Sequence, residues 1–333
     1  MSSLASLHNT TTSVIDVGFG TAALGGNSYQ IVQLALQAGF TKFDTAEADW
    51  WYDQKNVGRG LKDYFESSEQ QQEDCQSLEI STKIPPWSLF SIENIRQQAS
   101  NSRMELVGFC QSSPEDDSIL PLDVYYIHAP KCWKGWHNRC TDAPPALPLL
   151  ESWKGMELAV IQDGSAKRIG LSNVRPDDLI KLIQDVQDRQ ARGDSFARVP
   201  DVLQAYADPI RPAKELRQIC KDHGIEFVSY STLGTQHRNV AQNPVLNAPV
   251  VQQLSDKYGR SVAEIVLSWA RQRDMSVIPR STNPQHISEL ARLLTDPLIL
   301  EAEDLELIDA MEEMDLSAFE LWTDMNKSSM YST

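Results

Sequence analysis

Apolar positions along the chain follow two alternating periods. Short runs that alternate, or are wholly apolar, lie at 15–20 (IDVGFG), 40–44 (FTKFD), 78–83 (LEISTK), 122–128 (LDVYYIH), 167–171 (KRIGL), 201–205 (DVLQA), 225–230 (IEFVSY) and 275–279 (MSVIP); these read as strands. Between them, 28–38, 55–65, 91–106, 150–162, 176–190, 211–222 and 261–273 space their apolar residues near the helical period. Two extra helices are predicted, at 248–258 before the seventh barrel helix and at 302–314 after the eighth, which lies near 285–294. Eight strands interleaved with helices predict an α/β protein, a closed (β/α)8 TIM barrel with parallel strands. No repeat, low-complexity tract or Gly/Ser linker divides the chain, so residues 1–333 read as a single domain.

The connections differ in what they can do. The polar stretches 66–77 and 108–118 follow helices, which puts them on the bottom face as solvated insertions. The long stretch 129–149 follows a strand and belongs on the top face, where loops shape substrate pockets.

Charge removes some classes of function. Thirty basic against 46 acidic residues give a net charge of -16, which argues against broad nucleic-acid or anionic-membrane binding while leaving room for a local phosphate pocket. The N-terminus lacks the basic, then apolar, pattern of a signal peptide, and no apolar run approaches the roughly 18 residues of a membrane span. The expectation is a cytoplasmic protein with no membrane partner. Five cysteines, at 75, 110, 132, 140 and 220, are odd in number and irregularly spaced; this predicts free thiols in a reducing compartment.

Candidate chemistry gathers at strand ends. Asp44 closes the second strand and Tyr52 follows in the next loop, while Lys83 closes the third strand and His128 the fourth. Taken singly, such a lysine is a solvent contact and such a histidine a hydrogen-bonded core residue. Together they bring an acid, a phenol, an ammonium and an imidazole to one barrel mouth. Two other readings compete. The stretch GFGTAA at 18–23 fits G-x-G-x-x-A with an acid, Asp44, about 20 residues on, the outline of a Rossmann dinucleotide site. A glycine-rich first turn is equally expected of a barrel, and the Rossmann reading leaves the later strand ends unexplained. His128, Cys132, His137 and Cys140 could outline zinc, but their spacing fits no familiar module, so no metal is expected.

The motifs FDTA at 43–46 with Tyr52 and Val57-Gly58, STK at 81–83, DVYYIH at 123–128, IGLSNV at 169–174, LQAYADP at 203–209, YSTLGT at 230–235, SVAEIVLSWA at 261–270 and VIPRSTNPQHI at 277–287 occur in one order across the chain. On these the chain resembles the aldo-keto reductase superfamily. The resemblance implies NADPH bound in an extended pose, NAD being the less favoured cofactor, and reduction of a small-molecule carbonyl by an Asp44, Tyr52, Lys83 and His128 tetrad. Tyr52 would donate the proton, its pKa lowered by Lys83, which Asp44 holds in place. His128 would orient the carbonyl, and the cofactor supplies the hydride.

The cofactor residues carry over one by one. Thr21 and Asp44 fall among them; Tyr230 resembles the aromatic under the nicotinamide, and Ser172, Asn173 and Gln204 the residues that bind its carboxamide. Ser231, Leu233 and Gly234 match the pyrophosphate loop. Arg280, Ser281, Thr282 and Asn283 match the 2'-phosphate site, where RST could instead be only a helix-capping turn; His286 stands where the family often has an arginine. The opening motif departs from the family: EADWW intervenes before Tyr52, and YDQKN replaces a Tyr-Gly-Asn-Glu context. Trp50, Trp51, Trp87, Trp133, Trp136 and Trp322 fall on top-face loops or the tail. With Trp51, Trp87 and Trp133 lining the pocket, the expected substrate is a bulky or aromatic aldehyde or ketone. The alternative is a non-catalytic NADP-binding regulatory or scaffold protein on the same barrel. A metal-dependent hydrolase would need clustered ligands that are absent. A monomer is the simpler expectation.

Overall fold

The structure, a computed structural model, describes residues 16–67, 73–113, 116–133, 136–140, 146–237 and 242–314; Trp322 lies outside them. Its strands in chain order are β1 (Phe19–Gly20), β2 (Lys42–Asp44), β3 (Glu79–Ile84), β4 (Gln111–Ser113), β5 (Asp116–Ile119), β6 (Leu122–Ile127), β7 (Ala166–Ser172), β8 (Val202–Tyr206), β9 (Glu226–Tyr230) and β10 (Ser276–Val277). All but β4 and β5 form one eight-stranded sheet in the order β1-β2-β3-β6-β7-β8-β9-β10, every neighbouring pair parallel. Its two edges meet, because Val17 bridges in parallel to Val277 and the N–H groups of Gly18 and Gly20 donate to Val277 O and Pro279 O, each at 2.9 Å. The sheet is therefore a (β/α)8 barrel.

The helices are α1 (Ser28–Gln37), α2 (Gln54–Glu66), α3 (Ile92–Val107), α4 (Leu149–Ile161), α5 (Pro176–Ala191), α6 (Lys214–His223), α7 (Pro249–Tyr258), α8 (Val262–Gln272), α9 (Pro284–Thr295) and α10 (Ala302–Asp309). Side chains alternate across each strand. One set, including Phe43, Ile80, Tyr125, Ile169, Leu203 and Phe227, joins the main core with the helices. The other set, Val124, Tyr126, Val202 and Val228, with Ile278 against them, forms a smaller cluster of its own. At the N-terminal ends of the strands the layer is ionic: Lys42 pairs with Asp16 and Glu79, and Arg168 with Asp123 and Glu226. Ser276 Oγ completes the chain, donating to Glu226 at 2.7 Å and accepting from Asp16 N at 3.1 Å.

The glycines of GFG serve this closure. A Cβ on Gly20 would stand 2.8 Å from Ile278 O, and α1 begins only at Ser28, so the segment does not open a helix as a Rossmann turn does.

Two expectations are corrected. The stretch 108–118 is more than a solvated insertion, since β4 and β5 pair as an antiparallel hairpin; its polar sequence carried no strand period. The cysteines are not all free. Cys75 and Cys110 form a disulfide with Cα atoms 5.9 Å apart, and Cys132 and Cys140 another with Cα atoms 5.3 Å apart, leaving buried Cys220 as the free thiol. Folding creates this proximity, which irregular spacing hides. No described helix is long and apolar enough to cross a membrane.

Candidate active site

Parallel register brings the strand-end residues together. Asp44 ends β2, level with Ser81 of β3, and Lys83 of β3 lies level with Tyr126 of β6; His128 follows that strand, its N–H donating to Ile84 O at 2.9 Å. Lys83 is fully buried. Its Nζ donates to Asp44 Oδ1 at 2.5 Å and to Thr45 O at 2.8 Å. The other Asp44 oxygen accepts Gln204 Nε2 at 2.8 Å from β8 across the barrel, and Thr21 Oγ1 donates to Asp44 O at 2.9 Å. Asp44 is thus held from three sides.

The longer loop before Tyr52 folds back on itself. Trp51 N and Tyr52 N both donate to Ala48 O, at 3.1 and 3.0 Å, and Ala23 N donates to Trp51 O at 2.7 Å. Asp53 then caps α2 through Asn56 N. The extra residues are absorbed by this turn, and half-buried Tyr52 reaches the mouth. Its ring centroid lies 5.4 Å from Lys83 Nζ and 5.7 Å from the His128 ring, edge to face. All four tetrad residues are together.

Their electrostatics correct one expectation. Burial, reinforced by Asp44, pushes the Tyr52 phenol above its ordinary pKa, with Arg280 pulling the other way. The Lys83 ammonium is itself paired with Asp44 at 2.5 Å. Burial pulls the Lys83 ammonium down and Asp44 restores it in part. Burial and the nearby Lys83 hold His128 well below the usual imidazole range, so it is neutral at pH 7. Its buried Nδ1 has no hydrogen-bond partner among the described residues.

A second network runs along the mouth from His128. Asn173, in the left-handed region at φ 53°, donates through Nδ2 to His128 O at 2.9 Å and Ser172 Oγ at 3.1 Å. It accepts Tyr230 Oη at 2.6 Å. Ser172, Asn173 and Tyr230 are therefore contiguous with the tetrad, whereas the Gln204 amide nitrogen is turned onto Asp44. Beyond Tyr230 the loop needs its glycine: Gly234 has φ 77°, and a Cβ there would lie 2.6 Å from Val245 Cγ2. Asn243 Nδ2 holds Leu233 O at 2.7 Å, and Gln236 Nε2 donates to Ser231 Oγ at 3.2 Å. A buried cluster missed by sequence reasoning secures the same loop. His237 Nε2 lies 2.8 Å from Asp208 Oδ2 and 3.1 Å from Tyr206 Oη, and Tyr206 Oη also donates to Asp208.

Around Arg280 the structure shows the helix cap. Asn283 caps α9 by accepting Gln285 N at 2.9 Å, and Ser281 Oγ accepts Asn283 N at 3.0 Å, so the turn does cap a helix. Arg280, Thr282 and His286 are exposed beside that helix N-terminus, a place that favours an anion.

The tryptophans divide by depth. Trp50 and Trp51 are exposed on the rim, at 47% and 42%, and Trp87 and Trp133 are half-buried. Trp136 is buried and edge-on to His128, with centroids 5.0 Å apart; Trp133 stacks on it at 3.8 Å and Trp87 meets it at 5.4 Å. Sequence reasoning placed Trp136 on the loop without assigning it to the pocket, and no spacing signalled its contact with His128. The zinc reading fails because the sulfurs of Cys132 and Cys140 are bonded to each other. Among the described residues no cluster of three or more His, Cys, Asp or Glu could hold a metal.

A family model described as the Aldo/keto reductase family matches residues 16–313. The glycerol 2-dehydrogenase (NADP(+)) of Hypocrea jecorina is 29% identical over 301 residues, covering 84% of each chain. The NADH-dependent D-xylose reductase of Candida parapsilosis is 28% identical over 319 residues, covering 89% of this chain and 88% of its own. The solved structure of an aldose reductase from Giardia lamblia matches with a TM-score of 0.72 at 22% identity, over 90% of this chain and 92% of its own, a likeness of fold.

Proposed function

The chain belongs to the aldo/keto reductase family of oxidoreductases, and we propose that it reduces a bulky or aromatic aldehyde or ketone to an alcohol with NADPH, residues 1–333 acting as one unit. The observation that carries this reading is the grouping of Tyr52, His128 and the Lys83–Asp44 pair at one barrel mouth.

A bound nicotinamide supplies the hydride. The chain's own residues do the rest. Neutral His128 donates a hydrogen bond to the substrate oxygen and aims the carbonyl. Tyr52, its pKa raised by burial, keeps its proton until a strong base forms beside it; the alkoxide left by hydride addition is such a base. The phenolate then faces Lys83, whose position Asp44 and Thr45 O fix. Ser172 and Asn173 would hold the carboxamide and Tyr230 would pack against the nicotinamide ring, with Ser231, Leu233 and Gly234 along the pyrophosphate. Arg280 and the N-terminus of α9 suit a 2'-phosphate, which favours NADPH; the two relatives named for a cofactor differ on this point. The rings gathered on Trp136 beside His128 favour an apolar or aromatic body on the substrate.

Oxidation of NADPH by aromatic aldehydes tests the reading. Tyr52→Phe is expected to lower kcat by roughly 10²–10⁴ while cofactor binding, read by fluorescence quenching, is kept. NADPH binding with no turnover in the unaltered protein would leave it a cofactor-binding protein.

A further inference from the structure

Tyr52 sits between two residues that are bolted to the same place. Glu47 stands at the entrance to its loop and Gln54 at the exit, as the first residue of α2. Glu47 N donates to Lys83 O at 3.1 Å, fixing the loop's root to β3. Its side chain lies against α3 and β6, where Oε1 accepts Ser102 Oγ of α3 and Tyr125 Oη of β6, both at 2.8 Å. Ser102 Oγ in turn accepts Gln54 Nε2 at 3.1 Å, and the same amide nitrogen reaches Glu105 Oε2 at 2.8 Å. Thr82 Oγ1 of β3 donates to Gln54 Oε1. One chain of hydrogen bonds thus ties both ends of the loop to α3 and to β3 and β6, the strands that carry Lys83 and lead into His128.

We propose that Glu47 is a positioning residue for Tyr52: acting through Ser102 and Gln54, its carboxyl clamps both ends of the long loop so that the phenol stays in register with Lys83 and His128. The inference rests on the reading of Tyr52 as proton donor. It accounts for how a loop with EADWW inserted still delivers a phenol to the tetrad.

The groups that face Glu47 are Tyr125 from β6, Ser102 and Glu105 from α3, Gln54 from α2 by way of Ser102, and the Lys83 carbonyl from β3. Burial raises the Glu47 carboxyl to about 7, with Glu105 adding to the rise and the bonds from Tyr125 and Ser102 opposing it. Ionisation strengthens those two bonds, so the clamp tightens locally as pH rises through neutrality, while the buried charge costs the fold more than the stronger bonds return.

The test compares Glu47→Gln, Glu47→Ala and Tyr125→Phe in the full chain, measuring kcat for an aromatic aldehyde, the NADPH dissociation constant and the pH profile. Glu47→Ala is expected to lose tenfold or more in kcat with NADPH affinity unchanged. Glu47→Gln, which keeps a neutral acceptor, is expected to recover most of that loss but to lack the rise in kcat near pH 7; Tyr125→Phe reports on the clamp if Glu47→Ala does not fold. Unaltered kcat in Glu47→Ala and Tyr125→Phe, or a matching loss of NADPH binding, overturns the proposal. If Tyr52→Phe is itself harmless, the reading of Tyr52 fails instead.

Discussion

Two acids on the same short stretch, Asp44 and Glu47, meet opposite surroundings. Asp44 accepts from a buried ammonium and an amide, whereas Glu47 receives, among the described residues, only hydroxyl donors and sits near Glu105. This predicts the sign of a pH effect on stability. The folded Glu47 carboxyl, near 7 against an ordinary 4.5, holds its proton more tightly than in the unfolded chain. Stability is therefore full below the unfolded value and falls as pH rises toward 7, by at most about 3 kcal/mol. Melting temperatures of Glu47→Gln and the unaltered protein at pH 5 and pH 8 check it: the difference moves in favour of the Gln variant at the higher pH. Asp44, Lys83 and His128 were legible because each closes an apolar run. Glu47 was not, since its partners Ser102 and Tyr125 lie 55 and 78 residues away. Gln204 was found by resemblance, but its bond to Asp44, across 160 residues, was not.

Among the elements, α2 and α3 are pressed together at a glycine. A Cβ on Gly58 would stand 2.3 Å from Glu105 O, closer than backbone can yield without moving a helix. That approach brings Gln54, at the head of α2, to Ser102 and Glu105 of α3. Gly58→Ala is expected to destabilise the fold by roughly 1–3 kcal/mol, as overpacking does. It should also lower kcat at temperatures well below melting, because it displaces the exit of the Tyr52 loop; an activity loss that simply tracks the unfolded fraction would contradict this. Helix and strand positions were legible from period alone, since a two-sided strand and a one-sided helix leave different marks. The Gly58 contact was not, because a lone glycine inside a helix looks the same whether it is tolerated or required. The hairpin of β4 and β5 escaped for a different reason: strands of polar sequence carry no apolar alternation to read.

At the scale of the whole molecule, eight strand ends sufficed for the barrel, but nothing in the spacing of the cysteines disclosed which pairs folding would join. The two disulfides sit at opposite ends of the barrel and have different consequences. Cys75–Cys110 spans 35 residues and ties the β4–β5 side of the bottom face to the segment before β3; closing a loop of that length stabilises by roughly 4 kcal/mol on chain-entropy grounds. Cys132–Cys140 spans only 8 residues and is worth less by the same reasoning, roughly 2.5 kcal/mol. Its ring, however, carries Trp133 and Trp136, the latter edge-on to His128, and also Arg139, which bonds Asp49 in the Tyr52 loop at 2.9 Å. Replacing Cys75 and Cys110 with serine is therefore expected to lower the melting temperature and leave the KM for an aromatic aldehyde unchanged. Replacing Cys132 and Cys140 is expected to raise that KM several-fold, with a smaller loss of stability and no change in NADPH affinity. A shifted KM in the first variant, or an unshifted one in the second, would show that the ring does not hold Trp136 against the reacting carbonyl.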